Sequence, residues 1–246
     1  MSGTSAMSGQ SGPMNADPAA LRELAALPPP MAPALSAELE AELGRMAPVA
    51  TRRPVRQLAI LLAVSLVYAS GLLLVLATRG DMLELPVGWL VGTAIGWLLG
   101  FVVACYLALV PRPGAVMPRW RVAALAVAIT SIGFVLFGLA VHPSGPSSAS
   151  LGAEHFTRGH RCFDFGLATA LVPVVLGALF LRRALPVGSR WVAAALGAGG
   201  GCLGGLVLHL HCRITDGLHV GLMHGGVVIV AALLSAAIVP RASDVR

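Results

Sequence analysis

Six long apolar runs constrain the fold of this chain more than any other feature. About 20 consecutive apolar residues cross a bilayer as a helix, and each run is close to that length. Composition agrees, because 57% of the 246 residues are hydrophobic, only 11% are charged and the mean hydropathy is +0.83. We therefore predict an all-α membrane protein that folds as a bundle of six transmembrane helices. The predicted spans are 57–77, 87–110, 122–141, 162–181, 192–212 and 218–239.

The segments around these runs set the domain organisation. The longest connection, between the third and fourth runs, reads HPSGPSSASLGAEHFTRGHR, and its Pro, Ser and Gly content predicts a loop. A transmembrane domain is expected over residues 57–240, with an N-terminal segment at 1–56 and a tail at 241–246. The first run is not expected to be a signal peptide, because a long, mostly polar and proline-rich segment precedes it and it lacks a small-residue cleavage site.

Arginine indicates the orientation, because the sequence contains no lysine. Six crossings put both termini on one side, together with twelve of the 17 arginines. These twelve are Arg45, Arg52, Arg53, Arg56, Arg112, Arg119, Arg121, Arg182, Arg183, Arg190, Arg241 and Arg246. The other side holds Arg79, Arg158, Arg161 and Arg213, and the seventeenth arginine, Arg22, is far from the membrane. The positive-inside rule therefore predicts that both termini are cytoplasmic. The net charge of +6 follows from this bias and requires no nucleic-acid partner.

Histidine and cysteine gather near the predicted outer surface. Thiolate and imidazole together suit zinc, copper(I) and similar ions, so His209, Cys212, His219 and His224 form a candidate site for a transient heavy-metal ion. His209 and Cys212 stand three apart on the fifth span and share a face. The spacing matches no standard zinc signature, and the alternative is that these are interfacial histidines and packing cysteines.

Two cysteines share the outer membrane level. Cys162 opens the fourth span and Cys212 ends the fifth, whereas Cys105 and Cys202 lie deeper and are expected to pack. A short inner loop makes these two spans antiparallel neighbours, so the side chains of Cys162 and Cys212 are expected to come within bridging or shared-ligand distance.

Glycine recurs every fourth residue along two of the spans. Such rows let helix backbones approach closely, and they indicate a tightly packed bundle, with a homodimer interface as the alternative. The rows are Gly88, Gly92, Gly96 and Gly100 on the second span, and Gly197, Gly201 and Gly205 on the fifth.

The N-terminal segment contains two short amphipathic patterns after a Ser- and Gly-rich start that should be disordered. They predict helices at about 17–27 and 36–46, each too short to be stable alone in water. Their apolar stripes therefore indicate binding to a partner or to the membrane surface, and a frayed tail is the alternative. The stripe residues are Leu21, Leu24, Leu35, Leu39 and Leu43.

Several features together resemble a known family over about residues 46–240. The six-span layout, the run MAPVATRRPVRQ, Cys162 opening span four and LHLHC ending at Cys212 look like the negative-regulator-of-sigma-F (NrsF) family of membrane anti-sigma factors. The resemblance implies that the N-terminal segment holds an extracytoplasmic-function sigma factor. It also implies that Cys162 and Cys212 take part in sensing a stress such as heavy metals. The chain departs from the family pattern in its longer N-terminal extension and its histidines around span six.

Other classes remain open at this point. A transporter would place ionisable residues near the bilayer centre, and spans one, two, three and five contain none there. A haem-binding redox protein could use His209 and His224 as axial ligands. An enzyme is not expected, because no acid, base and nucleophile converge on the cytoplasmic side. The predicted function is therefore sequestration of a sigma factor and its release on external metal or redox stress, with a membrane metal-ion or haem-binding redox or transport protein as the alternative.

Overall fold

The structure is a computed structural model that describes residues 36–45, 53–111, 117–143, 153–182 and 189–243. Residues 1–51 and 52–246 form two separate compact units. In the described part of the first unit, α1 runs from Ala37 to Arg45. The predicted helix at 17–27 lies outside the described residues.

The second unit contains the apolar helices. They are α2 (Pro54–Leu76), α3 (Val87–Leu109), α4 (Arg119–Ala140), α5 (Ala153–Leu181), α6 (Ser189–His211) and α7 (Gly225–Ser243). A π-helical turn, His219–His224, leads directly into α7. The described residues contain no strand, so the all-α prediction is confirmed.

Six of the helical segments are long and apolar enough to cross a membrane. The chain is therefore a multi-pass membrane protein, as the apolar runs predict. The fourth of these segments covers Gly159–Leu181, and the sixth covers His219–Arg241 and includes the π-helical turn.

One boundary prediction was wrong. The connection between the third and fourth spans was expected to be a loop up to residue 161, but α5 already begins at Ala153. The prolines and most of the serines of that connection lie at 143–150, whereas residues 153–161 contain only one glycine and no proline. The helix therefore extends beyond its apolar part, because hydrophobicity limits the membrane span but not the helix.

The bundle is built around α6. Its apolar stretch is 89% buried, against 22% for α2, and α6 contacts each of the other five spans. A helix that is apolar on every side is either surrounded by other helices or faces lipid as a membrane span, and α6 is surrounded by other helices. Alanine and glycine dominate its sequence, SRWVAAALGAGGGCLGGLVLHLH, and let those neighbours approach closely.

The two glycine rows behave differently. On α6, an added Cβ at Gly201 would lie 2.5 Å from the Cα of Val228, so this row packs within the bundle as predicted. On α3, Gly100 packs closely, but Gly88 and Gly92 meet no atom within 4 Å in the described part of the chain. The N-terminal half of the α3 row, Gly88 and Gly92, was therefore wrongly assigned to close packing. Gly92 instead lines an open apolar groove of about 510 Å³ between α3 and α4, and the homodimer stays a prediction.

Candidate functional site

The candidate site lies at one end of the six-helix bundle, which we call the site end. The site end contains the α2–α3 connection, the end of α4, the first apolar turn of α5, and the segment from His211 to the π-helical turn. Hydrogen bonds between segments that are distant in the chain hold it together. The backbone N–H of Arg79 donates to the carbonyl of Leu210 at 2.9 Å, and the indole N–H of Trp89 donates to the carbonyl of Val141 at 2.9 Å.

Two thiols meet at the site end. The Sγ atoms of Cys162 and Cys212 lie 3.6 Å apart, although the residues are 50 positions apart in the chain. Cys212 is buried directly after the end of α6, and Cys162 on α5 is half-buried. Both are free thiols in the structure. The pair can share a ligand, or form a disulfide after a shift of about 1.6 Å in the S–S distance.

His219 extends this pair to a group of three. Its Nε2 lies 3.4 Å from the Sγ of Cys212, and the potential ligand atoms of Cys162, Cys212 and His219 all lie within 4.8 Å of one another. The backbone N–H of His219 donates to Oδ1 of Asp216 at 2.8 Å, which caps the helical segment that begins at residue 217 and continues into the π-helical turn.

His224 lies beside this group. Its ring centroid is 5.1 Å from that of His219, with the rings nearly perpendicular. The side chain is 1% exposed, and neither ring nitrogen has a hydrogen-bond partner among the described residues. The ring lies close enough to the Cys212 thiol to interact with it, so this buried imidazole adjoins the group of three.

His209 and His211 point elsewhere. Nε2 of His209 lies 2.9 Å from the carbonyl oxygen of Leu90, and its ring packs against Trp89 with centroids 4.7 Å apart. Nδ1 of His211 donates to the carbonyl of Ala77 at 2.7 Å. The structure therefore brings Cys212, His219 and His224 together, but it does not bring His209 into the group. The hydrogen bond to Leu90 also occupies the nitrogen that a haem iron would require.

The sequence analysis did not single out Arg79, which is buried at the site end. Its guanidinium forms a bidentate ion pair with Asp81, at 2.8 Å and 2.9 Å, and donates to the carbonyls of His209 and Arg213. It thus satisfies carbonyls at and just beyond the negative end of the α6 dipole. The hydrogen bond from Arg79 lowers the pKa of Asp81, with burial acting in the opposite direction. The only sequence signal is TRGD in an otherwise mostly apolar connection.

Ala77 precedes this arginine in an uncommon backbone conformation. Its φ of 64° and ψ of 148° lie in a region that residues other than glycine rarely adopt. Its carbonyl is the acceptor for His211. The first connection is therefore held against the end of α6 by both Ala77 and Arg79.

The other two cysteines lie away from this group. Cys105 and Cys202 are buried in the bundle core, on α3 and α6. Of the predicted partner-binding residues, Leu21, Leu24 and Leu35 lie outside the described residues. The side chains of Leu39 and Leu43 on α1 are also outside the description.

The fold and the site together define a class. This is a multi-pass membrane protein with a thiol and imidazole cluster at one end of its bundle and a short helix before its first span. Residues 44–243 match the family model NrsF, described as negative regulator of sigma F. The match covers most of the chain, so the chain belongs to this family, and the predicted resemblance is confirmed. Family membership implies negative regulation of a sigma factor, and hence a sigma factor partner. No curated protein and no solved structure gives a significant match.

Proposed function

We propose that this protein is a membrane anti-sigma factor that holds an extracytoplasmic-function sigma factor through residues 1–56. It releases that factor when an external metal or oxidant reacts near Cys162 and Cys212. The approach of the two thiols to 3.6 Å is the observation that carries the sensing role. The excess of arginine on one side supports cytoplasmic termini in a bacterial inner membrane, with the site end outside. No catalytic step is needed.

The N-terminal segment supplies the holding surface. The family match begins at residue 44, so the amphipathic pattern of the sequence is what supports this role for residues 1–43. In α1, Glu38 and Glu40 lie in the first turn and are exposed. An acidic helix with an apolar stripe suits a basic protein surface better than an anionic lipid surface.

Helix α2 provides the path from the thiols to this segment. Its outer end is tied through Ala77 and Arg79 to the segment that carries Cys212. Its inner end begins at Pro54, directly after the N-terminal segment. Of the six spans, α2 has the smallest buried share. A change in position of Cys212 therefore shifts the span that is easiest to move, and a ligand that favours the shifted state releases the partner.

Co-purification of the sigma factor with tagged full-length protein tests the proposal. We expect the unmodified protein to retain a sigma factor and to lose it after exposure of cells to cadmium or an oxidant. Leu39→Asp combined with Leu43→Asp should abolish retention while membrane insertion is preserved, because burying an unpaired charge at an interface costs several kcal/mol. Retention by the double variant would show that α1 is not the contact.

The thiol variants complete this experiment. Cys162→Ser and Cys212→Ser should each retain the sigma factor after cadmium exposure, and the double variant should resemble either single one, because a two-thiol site fails when one member is lost. Cys202→Ala is the matched control, since it removes a fully buried thiol that lies outside the site. Normal release by both serine variants would contradict sensing at this pair.

A further inference from the structure

We propose that Cys162, Cys212, His219 and His224 form a four-ligand site for a divalent zinc-like cation, Zn²⁺ or Cd²⁺. This inference rests on the proposed function and deepens it, because it defines the ligand set and the ion. It goes beyond the cysteine pair by assigning both histidines of the π-helical turn as ligands, and it leaves His209 out of the set.

The distances within the group fit a tetrahedral ion. With Zn–S of about 2.3 Å and Zn–N of about 2.0 Å, two sulfur ligands lie about 3.8 Å apart and a sulfur and a nitrogen about 3.6 Å apart. In the structure, the two Sγ atoms are 3.6 Å apart, and Cys212 Sγ is 3.4 Å from His219 Nε2. The ligand atoms of Cys162 and His219 are within 4.8 Å. Shifts of a few tenths of an ångström on these two measured edges admit the ion.

His224 is not among the three residues whose ligand atoms all lie within 4.8 Å of one another, and we assign it the fourth position by its burial and by its distance from His219. Two imidazoles on one tetrahedral ion have ring centroids about 5 Å apart, and the observed separation is 5.1 Å. Both ring nitrogens of His224 lack partners among the described residues, and the side chain is 1% exposed. A bound cation would satisfy one of these nitrogens.

The π-helical turn is what makes the two histidines neighbours. In an α-helix, residues five positions apart point about 140° away from each other. In a π-helix, hydrogen bonds join residues five positions apart around one turn, so His219 and His224 share a face. Such turns occur frequently at functional sites.

Glycines fix this turn in place and leave room for the ring. An added Cβ at Gly138 would lie 2.6 Å from the backbone nitrogen of Gly221, so α4 contacts the turn backbone directly. An added Cβ at Gly159 would lie 3.5 Å from Nδ1 of His219. The turn is thereby seated between α4 and α5, with the half-buried Cys162 at its more accessible side.

Charge balance favours a divalent ion in this buried position. Binding converts two thiols to thiolates and releases two protons, so the ion and its two sulfur ligands carry no net charge, and the two imidazoles bind as neutral ligands. A neutral complex avoids the cost of burying an uncompensated charge.

Cadmium titration of the purified full-length protein in detergent tests the site. We expect one Cd²⁺ per chain, cadmium–thiolate charge-transfer absorption in the ultraviolet, and release of about two protons per ion in weak buffer. His219→Ala and His224→Ala should each weaken affinity by about tenfold or more, since even residues behind the ligands contribute tenfold to a hundredfold. His160→Ala, an exposed change on the same helix as Cys162, is the control and should bind like the unmodified protein.

A rescue variant separates ligation from structural support. His224→Cys supplies a thiolate at the same place and should restore cadmium affinity with stronger charge-transfer absorption, which a purely structural histidine would not do. Unchanged cadmium affinity in both alanine variants would overturn the four-ligand site, as would absence of binding by the unmodified protein. If the unmodified protein does not bind cadmium but still retains the sigma factor and loses it on exposure to an oxidant, the proposed function stands. Cadmium binding without any sigma factor retention would instead overturn the proposed function alone.

Discussion

Individual polar residues at the site end have separate tasks. The ligand atoms of Cys162, Cys212 and His219 lie within 4.8 Å of one another and the ring of His224 packs against that of His219, whereas Arg79 holds the backbone that carries Cys212. Histidines at nearby positions are already occupied by the carbonyls of Leu90 and Ala77. The role of each histidine is therefore determined by its hydrogen-bond partners, because the residue type is the same at all four positions.

Replacement of the buried arginine tests its supporting task. Arg79→Gln removes the ion pair with Asp81 and the donors to the carbonyl of His209, in the last turn of α6, and to that of Arg213, beyond its end. Hydrogen bonds to charged groups contribute about 1.5–3 kcal/mol each when buried, so we expect a loss of about 2 kcal/mol in the free energy of unfolding. Thermal unfolding of the purified protein in detergent measures it. Arg161→Gln, at an exposed position on α5, is the control, and equal unfolding temperatures for the two variants would refute the supporting task.

At the scale of elements, the π-helical turn and the central helix determine what the site can be. The close approach of α4 to the turn depends on glycine at the contact, because backbone atoms of Gly221 fill the place of a side chain at Gly138. Helix α6 is buried on all sides and delivers Cys212 to a fixed position. The site is thus positioned by helix packing.

A pair of glycine variants on α4 tests this dependence. Gly138→Ala forces the turn away from α4 and should destabilise the protein by about 1–3 kcal/mol, as overpacking does, and also weaken cadmium binding. Gly133→Ala is the matched control, because its new methyl group meets nothing within 4 Å in the described residues. That variant should be neutral or slightly stabilising, since alanine favours a helix over glycine. The measurements are the unfolding temperature and the cadmium affinity. If Gly138→Ala lowers neither of them, the turn tolerates displacement.

At the scale of the whole molecule, α2 follows the N-terminal segment in the chain and leads to the connection that carries Ala77 and Arg79. The site end joins four connections or helix ends, and α2 alone links it by an unbroken helix to the residues that precede Pro54. Regulation across the membrane then depends on which side each end faces.

Reporter fusions test that orientation. Fusions after residues 80 and 150 should register as external, and fusions after residues 115, 186 and 246 as cytoplasmic, because twelve arginines lie on the side of the termini. A cytoplasmic signal at residue 150 would place the thiols inside the cell. It would then exclude direct sensing of an external ion.

The sequence by itself determined the class and the level of the candidate residues. Apolar length predicted six spans, and span ends predicted that Cys162 and Cys212 lie at one membrane level. Hydropathy and helix length are local properties, so a single sequence contains them. The helical start of α5 at Ala153 was missed because apolar length does not limit a helix.

Only the tertiary structure decided which side chains meet. In an α-helical reading of the sixth span, His219 and His224 point apart, and the π-helical turn brings them together. His209 shares a face with Cys212 by spacing, yet it bonds to Leu90 on α3. The hydrogen bonds from Arg79 to the carbonyls of His209 and Arg213 join residues more than a hundred positions apart. These outcomes depend on how neighbouring helices pack against one another. The sequence periodicity of one helix does not predict the position of the next.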